Sequence, residues 1–210
     1  ESIIVKNGKN KEITIIDSKE KETSQIYGRY TYNSSWTGIT LNSDFYGSYL
    51  DSGEYDTKVK IINAVQVDDE SEIYGNDNAN TITGSNQNNS TIHGGAGNDY
   101  ISGGSYKDNI LGDAGNDTIY GGAGNNTLTG GAGKDVFIYG GGNDLITDFN
   151  IAEDKISLKS GTISAATLRS SDLVLKIGSG SLTVKNGKNK EITIGKNIYY
   201  NNFIYDLKKT

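Results

Sequence analysis

The sequence predicts an all-β protein: a coiled roll of short strands flanked by small β-rich capping regions. Three observations carry this. Residues 94–147 divide into six consecutive nine-residue units: GGAGNDYIS, GGSYKDNIL, GDAGNDTIY, GGAGNNTLT, GGAGKDVFI and YGGGNDLIT. A large apolar residue returns at the eighth position of every unit (Ile101, Ile110, Ile119, Leu128, Phe137, Ile146), a register that a Gly/Asn-rich linker lacks. Both flanks alternate apolar and polar residues at the two-residue period of a strand.

Each unit splits into a six-residue turn and a three-residue strand. Glycines at the first, second and fourth positions let the backbone turn sharply and visit positive φ without a β-carbon clash. They also leave peptide carbonyls unobstructed. The sixth position supplies a carboxylate: Asp99, Asp108, Asp117, Asp135 and Asp144, with Asn126 in the fourth unit. Carboxylates beside bare carbonyls suit a hard divalent cation, which takes six to eight oxygens at about 2.3–2.6 Å. Only the central side chain of a three-residue strand points to one face, so the eighth-position residues form the core.

One turn reverses the chain and a second returns it, so two units make one coil. Stacked residues are then 18 apart. The expected pairs are Asp99 with Asp117, Asp117 with Asp135, Asp108 with Asn126, and Asn126 with Asp144, each pair sharing a cation. Ile101, Ile119 and Phe137 should stack in one sheet, and Ile110, Leu128 and Ile146 in the other. Asn126 keeps an oxygen but loses a charge, which weakens its edge. Tyr106 and Asp113 replace template glycines, and a β-carbon at a positive-φ site costs energy, so the Tyr106 turn is expected to be distorted.

Composition bounds the function. The net charge is −6. Residues 94–154 carry nine acids against Lys107 and Lys134, and the rest of the chain sums to +1. Nucleic acid is therefore an unsuitable partner, since phosphate binding needs a basic patch. No cysteine is present, so no disulfide forms, and no run of about 18 apolar residues marks a membrane span. The amino end lacks the apolar core of a signal peptide, and the absence of methionine marks the chain as a piece of a longer protein. Sixteen of the 28 glycines fall in 94–147, a segment costly to order and repelled by its own carboxylates. We expect it to order only with cations bound.

The chain divides into four parts. Residues 1–22 read as the tail of a preceding module plus a linker, 23–74 as a β-rich N-terminal cap, 75–147 as the cation-binding roll, and 148–210 as a β-rich C-terminal cap. GNDNANTIT at 75–83 is a variant unit with Asn80 at the acid position and Ile82 in the core. SNQNNSTIH at 85–93 keeps Ile92 after one inserted residue. Residues 27–55 are rich in aromatics (Tyr27, Tyr30, Tyr32, Trp36, Phe45, Tyr46, Tyr49, Tyr55), read as a capping β-layer or a sugar platform. In DLITDFNIAEDKISL at 144–158, Asp148, Asn150 and Asp154 either complete the last turn or form a separate site. SAATLRSSD at 164–172 suggests a short helical turn, and Asn186-Gly187 a two-residue hairpin. VKNGKNKEITI occurs at 5–15 and again, identically, at 184–194, which points to a tandem array of modules.

The six units and the closing DLITDFNIAEDKISL segment resemble RTX (hemolysin-type calcium-binding) proteins. The resemblance implies a parallel β-roll (RTX β-helix) holding several calcium ions, about four or more. It implies calcium ligation by the sixth-position residues named above. It also implies carbonyl ligands from the Gly-rich turns, for which Gly95, Gly97, Gly104, Gly115, Gly122, Gly124, Gly131, Gly133 and Gly142 are the candidates. It further implies type I export, an extracellular or cell-surface location, and folding in external calcium. The expected role is a calcium-dependent structural module of a large secreted adhesin- or hemolysin-like protein. Its partners would be calcium, neighbouring modules and a cell-surface or glycan target. A folding and secretion module of a secreted enzyme, or a glycan-binding module, are the alternatives. The chain is not expected to be an enzyme itself: it lacks a nucleophile elbow, a zinc-binding helix and a P-loop, and its one histidine, His93, sits at a strand end facing solvent.

Overall fold

The structure is a computed structural model. It describes the backbone of residues 3–7, 11–16, 38–42, 48–51, 61–66, 71–188, 192–194, 197–200 and 203–206, with side chains over 72–188 and 192–194. The aromatic residues of 27–55 and the charged stretch 17–25 lie outside the described side chains.

Upstream strands are β1 (Ile3–Asn7), β2 (Lys11–Ile16), β3 (Gly38–Asn42), β4 (Ser48–Asp51), β5 (Ile61–Gln66) and β6 (Ser71–Tyr74). The roll continues with β7 (Thr81–Thr83), β8 (Ser90–His93), β9 (Tyr100–Gly104), β10 (Asn109–Leu111), β11 (Thr118–Gly122), β12 (Thr127–Thr129), β13 (Val136–Tyr139), β14 (Asn143–Ile146) and β15 (Lys155–Leu158). Downstream come β16 (Ile163–Arg169), β17 (Asp172–Ile177), β18 (Gly180–Val184), β19 (Ile192–Ile194), β20 (Asn197–Tyr200) and β21 (Phe203–Asp206). No helix occurs among the described residues, so none is long and apolar enough to cross a membrane.

Within the roll the chain alternates between two sheets, and consecutive strands do not pair. One sheet runs β3-β5-β7-β9-β11-β13-β15 and the other β18-β14-β12-β10-β8-β6-β4, all parallel along those stretches. This is a β-solenoid, as the nine-residue period predicts. Ile119 faces Ile101 and Phe137 in register, while Leu128 lies between Ile110 and Ile146. The eighth-position side chains meet between the sheets at 0–1% exposure. Ile73, Ile82 and Ile92 prolong this column upstream, and Phe149 and Ile156 prolong it downstream.

The step between stacked core residues is 18 from the Ile92–Ile110 pair through the Leu128–Ile146 pair. It becomes 19 where Ile82 meets Ile101, Ile73 meets Ile92 and Phe137 meets Ile156, and it widens further upstream, to 20 where Ile62 meets Ile82 and 23 where Leu50 meets Ile73. Inserted residues are therefore absorbed in the turns, and the core register survives. A shift by one within a strand would turn each apolar side chain outward, so the burial of the column fixes where insertions go.

The downstream cap departs from two expectations. Residues 163–169 form strand β16, not a helical turn. β16, β17 and β18 make an antiparallel meander with turns at Ser170-Ser171 and Gly178-Ser179, and it delivers β18 alongside β14. Burial of Ala166 against Leu173 and Leu175 rewards the extended form over a one-turn helix. Asn186 does take the left-handed φ of 53° that its turn signal implies. However, the strands on either side do not pair with each other: β18 is engaged by β14 and β17, and β19 pairs with β20.

Candidate metal centre

Alternate sheets place the turns along two edges. On the first edge Asp99, Asp117 and Asp135 stack. On the second, Asp108, Asn126 and Asp144 stack. All six are buried at 1–2% exposure. Each carboxylate spans two coils in the same way. Asp117 Oδ1 accepts the backbone N–H of Asp99 at 2.8 Å, and Asp135 Oδ1 that of Asp117 at 2.9 Å. On the second edge the Asp108 N–H donates to Asn126 Oδ1 at 3.0 Å, and the Asn126 N–H to Asp144 Oδ1 at 2.9 Å. All four expected 18-residue pairs are thus in direct contact. Asp99 and Asp108 do the same to the variant turns above, accepting from Asn80 and Ser90, each at 2.7 Å.

The second carboxylate oxygen is different. Oδ2 of Asp99, Asp108, Asp117, Asp135 and Asp144 is buried with no hydrogen-bond partner, and these are the only such side-chain atoms among the described residues. A buried acceptor without a donor is unfavourable by about 1–3 kcal/mol, and by more when it is charged. Burial pushes Asp99 and Asp108 up to about 7, and Asp117 and Asp144 up to about 6; Asp135 is also raised. The N–H bonds to Oδ1 oppose that shift, whereas neighbouring acids add to it: Asp117 acts on Asp99 and Asp135 on Asp117 along the first edge, and Asp144 on Asp108 along the second.

All nine candidate glycines at the second and fourth positions have positive φ, from 77° at Gly142 to 140° at Gly115. Some of their carbonyls serve the fold: Gly95 and Gly104 accept the N–H groups of Ala114 and Ala123, each at 2.9 Å. That of Gly142 accepts the Ser181 N–H at 2.9 Å and the Tyr139 hydroxyl at 2.8 Å. The first-position glycines have a separate task that sequence reasoning missed. A β-carbon on Gly94, Gly103, Gly112 or Gly130 would strike Oδ2 of the aspartate in its own turn. At the first three of these, the carbonyl of the first-position glycine one coil on also points into that space. Free carboxylate oxygen and main-chain carbonyl therefore converge.

No group of three or more His, Cys, Asp or Glu side chains converges among the described residues. The donor set available at each turn is one or two carboxylates plus peptide carbonyls, all oxygen. That chemistry fits a hard cation such as calcium and is wrong for zinc or copper, which favour nitrogen and sulfur.

A family model for the RTX calcium-binding nonapeptide repeat (4 copies) matches residues 74–110 and again 111–146. Residues 74–146 are RTX calcium-binding repeats. No curated protein matches the chain. Among solved structures, the extracellular lipase LipA from Serratia marcescens aligns over 71% of this chain at 17% identity with a TM-score of 0.32. The chain spans 40% of that lipase's length.

The RTX turns are not equivalent. At Asn126 the amide Nδ2 donates to Asp144 Oδ1 at 3.0 Å, so the middle of the second edge holds itself together. In the upstream variant turns, Asn76 N–H donates to Asn80 Oδ1 and Ser85 N–H to Ser90 Oγ, neutral closures with no orphan oxygen. Downstream, Asp154 takes the sixth-position role: Oδ1 accepts the Asp135 N–H and Oδ2 the Asn150 N–H. Asp148 is exposed and clasps the N–H groups of Gly130 and Gly131. Both oxygens of Asp148 and of Asp154 are therefore hydrogen-bonded, unlike those of the five buried aspartates. Tyr106 avoids positive φ, so its turn takes another path, whereas Asp113 accepts the strained φ of 69°. His93 is not simply solvent-facing: it stacks on Tyr74 with ring centroids 4.7 Å apart and lies 3.3 Å from Asp113 Oδ2. A ladder at the fifth position also went unread. Asn98 Oδ1 accepts from the Asn116 N–H, Asn116 Oδ1 from Lys134, and Asn125 Oδ1 from Asn143. The Gly-Asn before Asp99, Asp117, Asn126 and Asp144 was its signal.

Proposed function

We propose that this chain is a calcium-triggered folding module of a large secreted or surface-exposed, adhesin-like protein. The observation that supports it is the row of five buried carboxylate oxygens without donors, stacked in register along two edges. On this reading Asp99, Asp108, Asp117, Asp135 and Asp144 hold calcium through Oδ2, with Asn126 contributing its oxygen and turn carbonyls filling the remaining positions. Each Oδ1 ties its coil to the one before it. A bound cation supplies the positive charge that this array of acids lacks. Without it, burying charged carboxylates opposes closure of the coils.

Low calcium would then keep the segment extended for export, and external calcium would let the coils close. Support for the secreted setting comes from the repeats themselves and from the undecapeptide recurring at both ends of the chain, as expected of an array of modules. No catalytic role is proposed for the residues of the roll. Far-ultraviolet circular dichroism with calcium and with chelator tests the trigger. The expected result is strand signal in calcium and a largely disordered spectrum in chelator; an unchanged folded spectrum in chelator would refute it.

A further inference from the structure

The undecapeptide VKNGKNKEITI appears in two structural settings. At 5–15 its ends belong to β1 and β2, which pair with each other, Val5 opposite Ile13 and Asn7 opposite Lys11. β1 is the outermost strand of its sheet. At 184–194 the described residues, 184–188 and 192–194, do not pair with one another. Val184 is fully buried between Ile146 of β14 and Leu173 of β17. The N–H groups of Asn186 and Lys188 donate to Asp172 Oδ1 and to the Ser171 carbonyl, each at 2.9 Å. Gly187 fits because it has no β-carbon; one there would lie 2.7 Å from Leu173 Cβ. Ile192 and Ile194 are buried at 0% and 6% exposure beside β15 and a groove lined by Phe149 and Ile156. Residues 184–188 and 192–194 thus form a strap at the base of the roll.

Every group this cleft recognises is present again at 5–15: Val5, Asn7, Gly8, Lys9, Ile13 and Ile15. We propose that the base of the roll is a docking site for residues 5–15 of a second copy of this chain, which replaces the resident strap. The contact joins two different surfaces, the amino end of one copy and the base of another. It is therefore head-to-tail and builds open chains of modules rather than closed dimers. Within one molecule the resident strap wins because its effective concentration is high. Weakening the resident strap alone should let the second copy in. The proposal rests on the sequence identity and on the contacts of the cleft, not on the calcium reading of the turns.

The test uses the whole chain in calcium, with the lone glycine of each strap as the lever. Gly187→Ala should weaken the resident strap and leave residues 5–15 competent. Sedimentation velocity should then show concentration-dependent association at lower concentrations than wild type needs. A labelled peptide of residues 5–15 should bind this variant at least about tenfold more tightly than wild type. The same peptide carrying Gly8→Ala should not bind, and Gly8→Ala combined with Gly187→Ala should abolish association. A Gly187→Ala chain that stays monomeric and ignores the peptide, or associates regardless of Gly8, overturns the proposal. Should Gly187→Ala lose its strand signal in calcium, wild type is incubated with a large excess of the peptide. Faster amide exchange at Asn186 and Lys188 then supports the exchange of straps, and unchanged rates overturn it.

Discussion

The two edges of the roll are built from the same nine residues, yet they are closed differently. On the first, aspartate stacks on aspartate from Asp99 through Asp117 to Asp135; Asp117 raises the proton affinity of Asp99 and Asp135 that of Asp117, as Asp144 also does for Asp108 on the second edge. On the second, Asn126 stands between Asp108 and Asp144 and donates its amide to Asp144. An amide brings its own donor, whereas a carboxylate needs one from outside. The first edge therefore depends more heavily on an external cation. The upstream Asn80 and Ser90 turns, closed by neutral hydrogen bonds, extend the same gradient.

Asp117→Ala should have the largest effect. It removes the acceptor of the Asp99 N–H and one Oδ2 from the middle of the first edge. Loss of about 2–4 kcal/mol in calcium is expected, along with at least a tenfold higher calcium midpoint in a circular dichroism titration. An unchanged midpoint would break the 18-residue sharing of cations. Next in size is the exchange of edge types. Asn126→Asp should make the second edge behave like the first, with lower order in chelator and a lower calcium midpoint. Asp117→Asn should do the reverse on the first edge, retaining more strand signal in chelator. Equal behaviour of both variants would show that the edges do not differ in kind.

A smaller effect is expected from pH in the presence of chelator. The folded-state pKa values of about 6 to 7 for Asp99, Asp108, Asp117 and Asp144 lie above the unfolded value of 3.8. The folded chain thus binds more protons between those limits, so its stability falls as pH rises and is recovered on acidification. Strand signal in chelator should grow as pH drops from about 7 toward 4. Asp117→Asn should flatten that profile. The smallest effect belongs to Asn116→Ala, which cuts an exposed rung of the fifth-position ladder. About 0.5–1.5 kcal/mol, read by thermal unfolding in calcium, is expected with no change in calcium midpoint.

What the sequence made legible follows from where its constraints act. The core column and the four acid pairs could be read because each repeats every nine residues, and a slip would expose Ile119 or Phe137. The tasks of Gly94, Gly103 and Gly112 were hidden because they concern the space between coils, which no single unit displays. The cap was harder for another reason. Residues 163–169 become a strand only because β17 is there to pair with them, and tertiary partners decide such short segments. The two copies of VKNGKNKEITI show this most directly: one sequence pairs with itself in β1 and β2 and with β14 and β17 elsewhere.

Anomalous diffraction from crystals grown in calcium tests the central claim most directly. The account predicts calcium peaks between coils stacked 18 residues apart, within about 2.3–2.6 Å of Oδ2 of Asp99, Asp117 and Asp135, with weaker occupancy beside Asn126. Crystals whose only calcium peaks lie on surface acids, with those Oδ2 atoms still buried and unligated, would contradict it.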